Sequence, residues 1–555
     1  MSYFSRVLQS LARDPSNRTW FFIPYDQLSD GFGPLARENP QDVGIILVEC
    51  PWKAARRPYH KQKLALILSN MRHFALEQAR RGVAVRYVVS KGSYKTAIEE
   101  LLPELGVIKV MRPAERELRL DLEPLVKKGA IKYLPHEGWL TTTEEFLAGT
   151  SPEPPWRMDG FYRMVRREKD ILMDGSKPLG GKYSFDAENR RPWPGTPPAP
   201  QPPRFEIDPI KKEVEELIRD RFAHHPGRLD LSTLPGTKED AARLWSWART
   251  ECLPRFGPFE DAMSTASTNL FHTRLSMLLN IHRLLPRDIL AEALALDLPL
   301  ASREGFVRQI VGWREFVRHV HEATDGFNRT PGMDVANDRK PGDGSYATWS
   351  GRAWPRFEGP ELVGGGAAPN VFGGRNPLPS AWWGEKSGLT CLDRVVADVW
   401  REAWSHHITR LMVLGNIATL LDVNPRELCD WFWVAYADAY DWVVEPNVLG
   451  MAAFAAGDLM TTKPYISGAG YVNRMSDYCP ACVFNPRKNC PLTRLYWAFL
   501  ARHYHVLAKI PRLKPVLVSL ARRDKKKREQ DVKVFDQLWS FLSRGEAAAP
   551  AAIDI

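Results

Sequence analysis

The stretch DYCPACVFNPRKNCP, residues 477–491, carries three of the chain's seven cysteines. Cys479, Cys482 and Cys490 follow the pattern C-x2-C-x7-C. Two sulfurs so spaced can reach one metal ion or cluster from a tight turn, so the pattern is that of a metal knuckle. Pro480 keeps the backbone there out of a helix. Thiolate ligands usually come in fours, and Cys50, Cys252, Cys391 and Cys429 are the candidates for the fourth. Cys429, in PRELCDWFWV, reads as core, and Cys50 falls at a strand end in another part of the chain. Cys391, in GLTCLDRVV, opens a predicted helix, whose N-terminus stabilises a thiolate, and is favoured. Spacing alone leaves Zn2+ and a [4Fe–4S] cluster equally open, with free structural thiols a weaker third option.

Three further groups could do chemistry. His406 and His407 are adjacent, so on a helix they point about 100° apart and cannot face one site in the same way. Either alone is more often a core residue, although a histidine can donate a proton near neutral pH. HTRLS, residues 272–276, places Thr273, Arg274, Leu275 and Ser276 at a predicted helix start. Hydroxyls and an arginine there suit a pyrophosphate, and ordinary helix entry is the alternative. Asp26 and Glu49 follow the first two predicted strands, where a parallel sheet receives a ligand or where a carboxylate caps the next helix.

These residues need elements to hold them. The first 140 residues alternate between strand-like runs (TWFFIPY, VGIILVEC, VAVRYVVS, VIKVMRP, AIKYLP) and helix-like runs, which predicts a parallel, Rossmann-like α/β sheet. No G-x-G-x-x-G follows the first strand, so no dinucleotide pyrophosphate is expected there. RRPWPGTPPAPQPPR, residues 190–204, reads as an extended connector. From about Leu244 amphipathic helical segments take over, among them CLDRVVADVWREAWSHHITRLMVLGNIATLL. The expected division is an α/β domain over 1–150, a Pro-rich linker over 151–240, an all-α domain over 241–510 and a basic C-terminal extension over 511–555. A Gly/Pro-rich loop interrupts the helical part from about 327 to 379.

The 555 residues, 44% hydrophobic and 26% charged, suit two or three soluble domains. No run is long enough for a membrane span, and the start shows no secretory signal. An odd number of cysteines in so long a chain argues against a disulfide framework and fits the reducing cytoplasm. The net charge of +10 hints at a polyanionic partner, against the alternative of a basic solvated surface.

CLDRVVADVWREAWSHHITRLMVLGN, YADAYDWVVEPNVLGM, KPYISGAGYVNRMSDYCPAC and RQIVGWREFVR together closely resemble the iron–sulfur bacterial cryptochromes and photolyases, also called prokaryotic (6-4) photolyases. The resemblance covers nearly the whole chain. It implies the photolyase/cryptochrome architecture, with FAD in the helical domain, and a [4Fe–4S] cluster on Cys391, Cys479, Cys482 and Cys490. It implies flavin contacts from Arg314, Arg410 and Asp438, and a lesion pocket with Trp313, His406, His407, Tyr465 and Tyr471, in which His407 is the proton donor. It implies electron passage through Trp383 and Trp431, and an antenna, 6,7-dimethyl-8-ribityllumazine, near Asp26 and Glu49. The implied activity is light-driven repair of (6-4) photoproducts in UV-damaged DNA, with a cryptochrome photoreceptor or a DNA-binding iron–sulfur structural protein as alternatives; the sequence does not give the oligomeric state, and a monomer is expected. One departure stands out. The family's W-V-E-x-P-N reads here as Trp442-Val443-Val444-Glu445-Pro446-Asn447, so the acid comes one position late and Val444 is expected in its place beside the flavin.

Overall fold

The computed structural model describes residues 2–331 and 366–554. All five strand-like runs become strands: β1 Thr19–Phe22, β2 Val43–Glu49, β3 Ala84–Val89, β4 Ile108–Met111 and β5 Ile131–Leu134. They form one parallel sheet of order β3-β2-β1-β4-β5. β2, VGIILVE, is buried along its whole length, as expected for a strand covered on both faces. Gly44 lets the sheet close, because a Cβ there would stand 2.6 Å from the Trp20 ring. Helices Lys61–Arg80, Tyr94–Leu105 and Arg116–Lys127 make the crossovers. The chain reverses its direction of growth between β1 and β4, which opens a crevice at the carboxyl ends of the strands. Asp26 lies four residues beyond β1, and Glu49 is the last residue of β2.

The stretch 151–240 is not simply a linker. It carries helices Met158–Glu168 and Pro209–Arg221, whose apolar faces join the common core, and extended backbone is confined largely to residues around 190–208. The basic C-terminal extension is packed on the core: helix Lys525–Ser543 buries Asp531, Val534, Leu538 and Leu542, and Asp524 caps it. Most of the Gly/Pro-rich 327–379 loop lies outside the described residues.

The predicted single helix from Cys391 to Leu421 is two. Helix Thr390–Glu402 stops at Ala403, which adopts a left-handed conformation (φ 51°), and the chain restarts at His407. Among the described residues four segments are π-helical: Ala248–Cys252, Arg308–Arg314, Arg410–Gly415 and Pro446–Ala452. Such turns mark places where a helix is widened to aim side chains. Here two of them contain Arg314 and Arg410, and the last begins at Pro446, two residues after Val444.

Candidate active site

The break at Ala403 changes the histidine geometry. His406 is an extended N-cap residue (ψ 166°) and His407 is the first helical residue, so the 100° helical argument does not apply to them. His406 is buried and stacks flat on His272, with ring centroids 4.5 Å apart and planes within 7°. His407 meets His272 edge-on at 5.4 Å and reaches the surface. The ligand nitrogens of His272, His406 and His407 lie within 4.8 Å of one another. His272 donates to the Glu260 carbonyl at 3.1 Å. Burial pushes its pKa down to about 3, and burial with the neighbouring His272, His407 and Arg410 drives His406 well below the ordinary value, so both rings are neutral at pH 7.

Asp261 completes this mouth. Its Oδ1 lies 3.7 Å from His407 Nε2, and its Oδ2 accepts from the Tyr471 hydroxyl at 2.9 Å. Burial raises the Asp261 pKa, but the nearby His407 ring, the hydrogen bond from Tyr471 and the charge of Arg190 outweigh it and hold the carboxyl below the usual range. Tyr465 is half-buried, and the charges of Asp186, Arg190, Arg512 and Asp261 act on it. Trp313 is half-buried and meets Phe316 edge-on at 6.2 Å.

Behind the histidines, Arg410 forms a two-pronged ion pair with Asp438 at 3.0 and 2.9 Å. Ser276 donates to the same carboxylate at 2.6 Å, and Asn280 donates to the Asp438 carbonyl at 2.8 Å. Burial raises Asp438, and the arginine and serine more than offset it. Arg314 is buried against Trp139 and Trp442, its guanidinium 4.3 and 5.4 Å from their centroids, and burial lowers its pKa to about 10. Its Nε and the Trp442 Nε1 have no partner within the protein, two buried donors of the kind a polar planar ligand satisfies. Arg274 sits in a left-handed conformation (φ 56°) and pairs with Glu402 at 2.6 Å, so its charge is already engaged. Thr273 is half-buried beside it, and Leu275 precedes the short helix Ser276–Leu279.

Val444 is buried. Glu445 is engaged elsewhere, taking Arg426 at 2.7 Å and His321 at 3.0 Å. The helix runs on through Pro446, so no helix end returns this acid to the Val444 position.

The four cysteines are gathered. Burial first, then the other three thiols, push the Cys391 pKa well up, and Cys490 rises to about 12 for the same reasons. All seven cysteines are free. Four cysteine thiols acting on one another are a donor set that suits zinc or an iron–sulfur cluster alike. Cys479–Ala481 forms a single 3-10 turn, so Pro480 sits in a helical turn after all.

On the α/β side a cavity of about 280 Å3 opens at the strand ends, lined by Glu49, Cys50, Lys53, Lys63, Glu115 and Tyr440 among others. Glu49 is held by Arg72 at 2.7 Å and by the Tyr87 hydroxyl. Asp26 is buried with neither carboxylate oxygen partnered. Burial, then the charge of Glu115, raises its pKa to about 7. Lys63 donates to the Trp433 carbonyl at 2.9 Å and to that of Ala439, bridging the cavity to the helical half.

Sequence reading missed His272 and Asp261. His272 heads the HTRLS motif but was read for its hydroxyls and arginine, and Asp261 lies in PFEDAMS, which has no periodicity to mark it.

The sheet, the helical body and the crevice define a photolyase/cryptochrome-type protein. Two solved structures share the fold: a bacterial class III photolyase from Agrobacterium tumefaciens (15% identity, TM-score 0.50, 95% of this chain and 99% of the other) and the Synechocystis sp. PCC6803 cryptochrome (15%, TM-score 0.51, 88% and 93%). The family described as deoxyribodipyrimidine photo-lyase-related protein matches residues 21–233. A (6-4) photolyase of Agrobacterium fabrum (strain C58) is 33% identical over 517 residues, 90% of this chain and 94% of its own. The chain belongs to the deoxyribodipyrimidine photolyase-related family.

Proposed function

We propose that the protein is a light-driven DNA-repair flavoprotein that reverts pyrimidine–pyrimidone (6-4) photoproducts. The observation that carries this is the His407–Asp261–Tyr471 array, open to the surface and backed by a neutral His272–His406 stack beside the Arg410–Asp438 pair. Arg314, Arg410, Asp438 and Ser276 would hold FAD, which would supply light-driven one-electron chemistry to the lesion. The residues do the rest. His407 donates a proton from the ring nitrogen turned away from Asp261 and recovers it, and Asp261, 3.7 Å from Nε2, orients the ring. Tyr471 holds Asp261 in turn. His272 and His406, neutral and buried, close the floor of the pocket without adding charge. Tyr465 and Trp313 line the mouth that takes a flipped-out lesion.

Val444 takes the flavin-facing place of the late acid, Trp431 and Trp383 feed electrons inward, and Cys391, Cys479, Cys482 and Cys490 hold a [4Fe–4S] cluster. The cavity beside Glu49 takes 6,7-dimethyl-8-ribityllumazine. The protein acts in the cytoplasm as a monomer; no helix of the described residues is long and apolar enough to cross a membrane. The test is illumination of chemically reduced protein with a (6-4)-containing oligonucleotide. Wild type should restore the bases, while His407→Ala should keep its flavin absorption and lose restoration. Repair by His407→Ala at the wild-type yield would reject the assignment.

A further inference from the structure

Trp383 and Trp431 are joined through a third indole. The half-buried Trp400 stacks on Trp383 with centroids 5.4 Å apart and planes within 19°, and meets the buried Trp431 edge-on at 6.0 Å. Trp431 lies 6.0 Å from Tyr436, whose ring carries the Arg410 guanidinium at 4.1 Å. The aromatic contacts thus run without a gap from Trp383 to the Arg410–Asp438 pair. Trp400 is fixed from two sides. Its Nε1 donates to the Trp382 carbonyl at 2.9 Å, and the same carbonyl accepts from Trp431 Nε1 at 2.8 Å. His60, from the α/β side, stacks on Trp400 at 5.7 Å and within 9°, and bonds the Trp400 carbonyl through Nε2 at 3.0 Å. His60 is fully buried, and its other ring nitrogen accepts from the Gln62 N–H, so the ring is neutral.

Charge separates this row from the other indole pair near the site. Trp139 and Trp442 are 5.0 Å apart, but Arg314 lies over both rings. A fixed cation opposes the positive charge that an oxidised indole must bear. Among the described residues no cation covers Trp400 or Trp431.

We propose that Trp400 is the middle carrier of the electron route and that it relays between Trp383 and Trp431. This rests on the flavoprotein reading. Trp431 gives one electron to the excited flavin, Trp400 gives one to Trp431, and Trp383 gives one to Trp400. A soluble thiol gives the last electron and releases its proton to water. The thiol is oxidised, the flavin is reduced, and no bond in the chain changes.

The experiment uses flavin-loaded protein with dithiothreitol under blue light. Trp400→Phe keeps the stack and removes the oxidisable ring. Its flavin absorption and its repair after chemical reduction should match wild type, which keeps this test separate from that of the repair assignment. Photoreduction should slow roughly tenfold, the change given by about 1.4 kcal/mol of added barrier. Spin-polarised EPR should show the radical-pair separation falling from wild type to Trp383→Phe and again to Trp400→Phe. Unchanged photoreduction in Trp400→Phe, or equal separations in the two variants, would overturn the proposal. If Trp400→Phe does not retain flavin, a wild-type separation in Trp383→Phe would overturn it alone.

Discussion

At the scale of single residues, buried groups without partners say most about what the protein is built to hold. Asp26 is the clearest. The unfolded chain gives up this proton near its ordinary value of 3.8, while the folded protein keeps it to about 7. Between those values the folded state binds the extra proton, so stability falls as pH rises and the loss is complete above pH 7. The expected loss is at most about 4 kcal/mol, three pKa units at 1.36 each. In antenna-free protein Asp26→Asn should remove that slope and raise the unfolding midpoint at about pH 8, with little change at about pH 4. Thermal unfolding of both proteins across this range checks it, and an equal slope in the variant would show that Asp26 is solvated in solution.

At the scale of elements, the strands were legible and the helix breaks were not. Short β-branched runs such as VGIILVEC can hardly be anything but buried strands, and each became one. Cys391 was legible because a cysteine opening a helix stands out beside a C-x2-C knuckle. The stop at Ala403 was not, because alanine is the best helix former and nothing in WREAWSHH signals a left-handed turn. That hidden break decides the site: it makes His406 a cap and frees His407 to face Asp261. Ala403 is fully buried at φ 51°, so a β-branched residue there meets both the backbone penalty and a full core. Ala403→Val should destabilise the protein by about 2–4 kcal/mol and lower repair, read by urea unfolding and by yield. A nearby consequence concerns the thiols. Cys391 begins the same helix, so a cluster on it and on Cys482, as proposed, would staple that helix to the knuckle before helix Pro491–Arg502. Cys482→Ala should give insoluble or flavin-poor protein, and soluble, iron-free protein with full flavin content would contradict the staple.

At the scale of the whole molecule, the excess of ten positive charges sets how DNA is met. Phosphate contacts release counterions, so affinity for undamaged and damaged duplex alike should fall with salt along parallel lines. Between about 50 and 200 mM salt the loss should exceed about tenfold, while the preference for the lesion, which rests on the pocket, should hold. Fluorescence anisotropy with matched oligonucleotides reads both. A preference that vanished with salt would place recognition on the charged surface instead of at His407 and Tyr471.

The shared carbonyl of Trp382 has its own bearing on how the molecule tolerates change. Two indoles take their orientation from a main-chain oxygen that every amino acid carries. The two hydrogen bonds therefore do not need the Trp382 side chain, which is itself fully buried and serves packing. Vulnerability moves instead to the turn that aims the oxygen. Gly384 ends that turn at φ 110°, and a Cβ there would touch nothing within 4 Å, so a bulkier residue acts through the backbone alone. Gly384→Val, a change at an exposed position remote from any cofactor contact, should slow flavin photoreduction while Trp382→Phe leaves it intact. The electron route would then be inherited as a loop conformation as much as a set of aromatic residues.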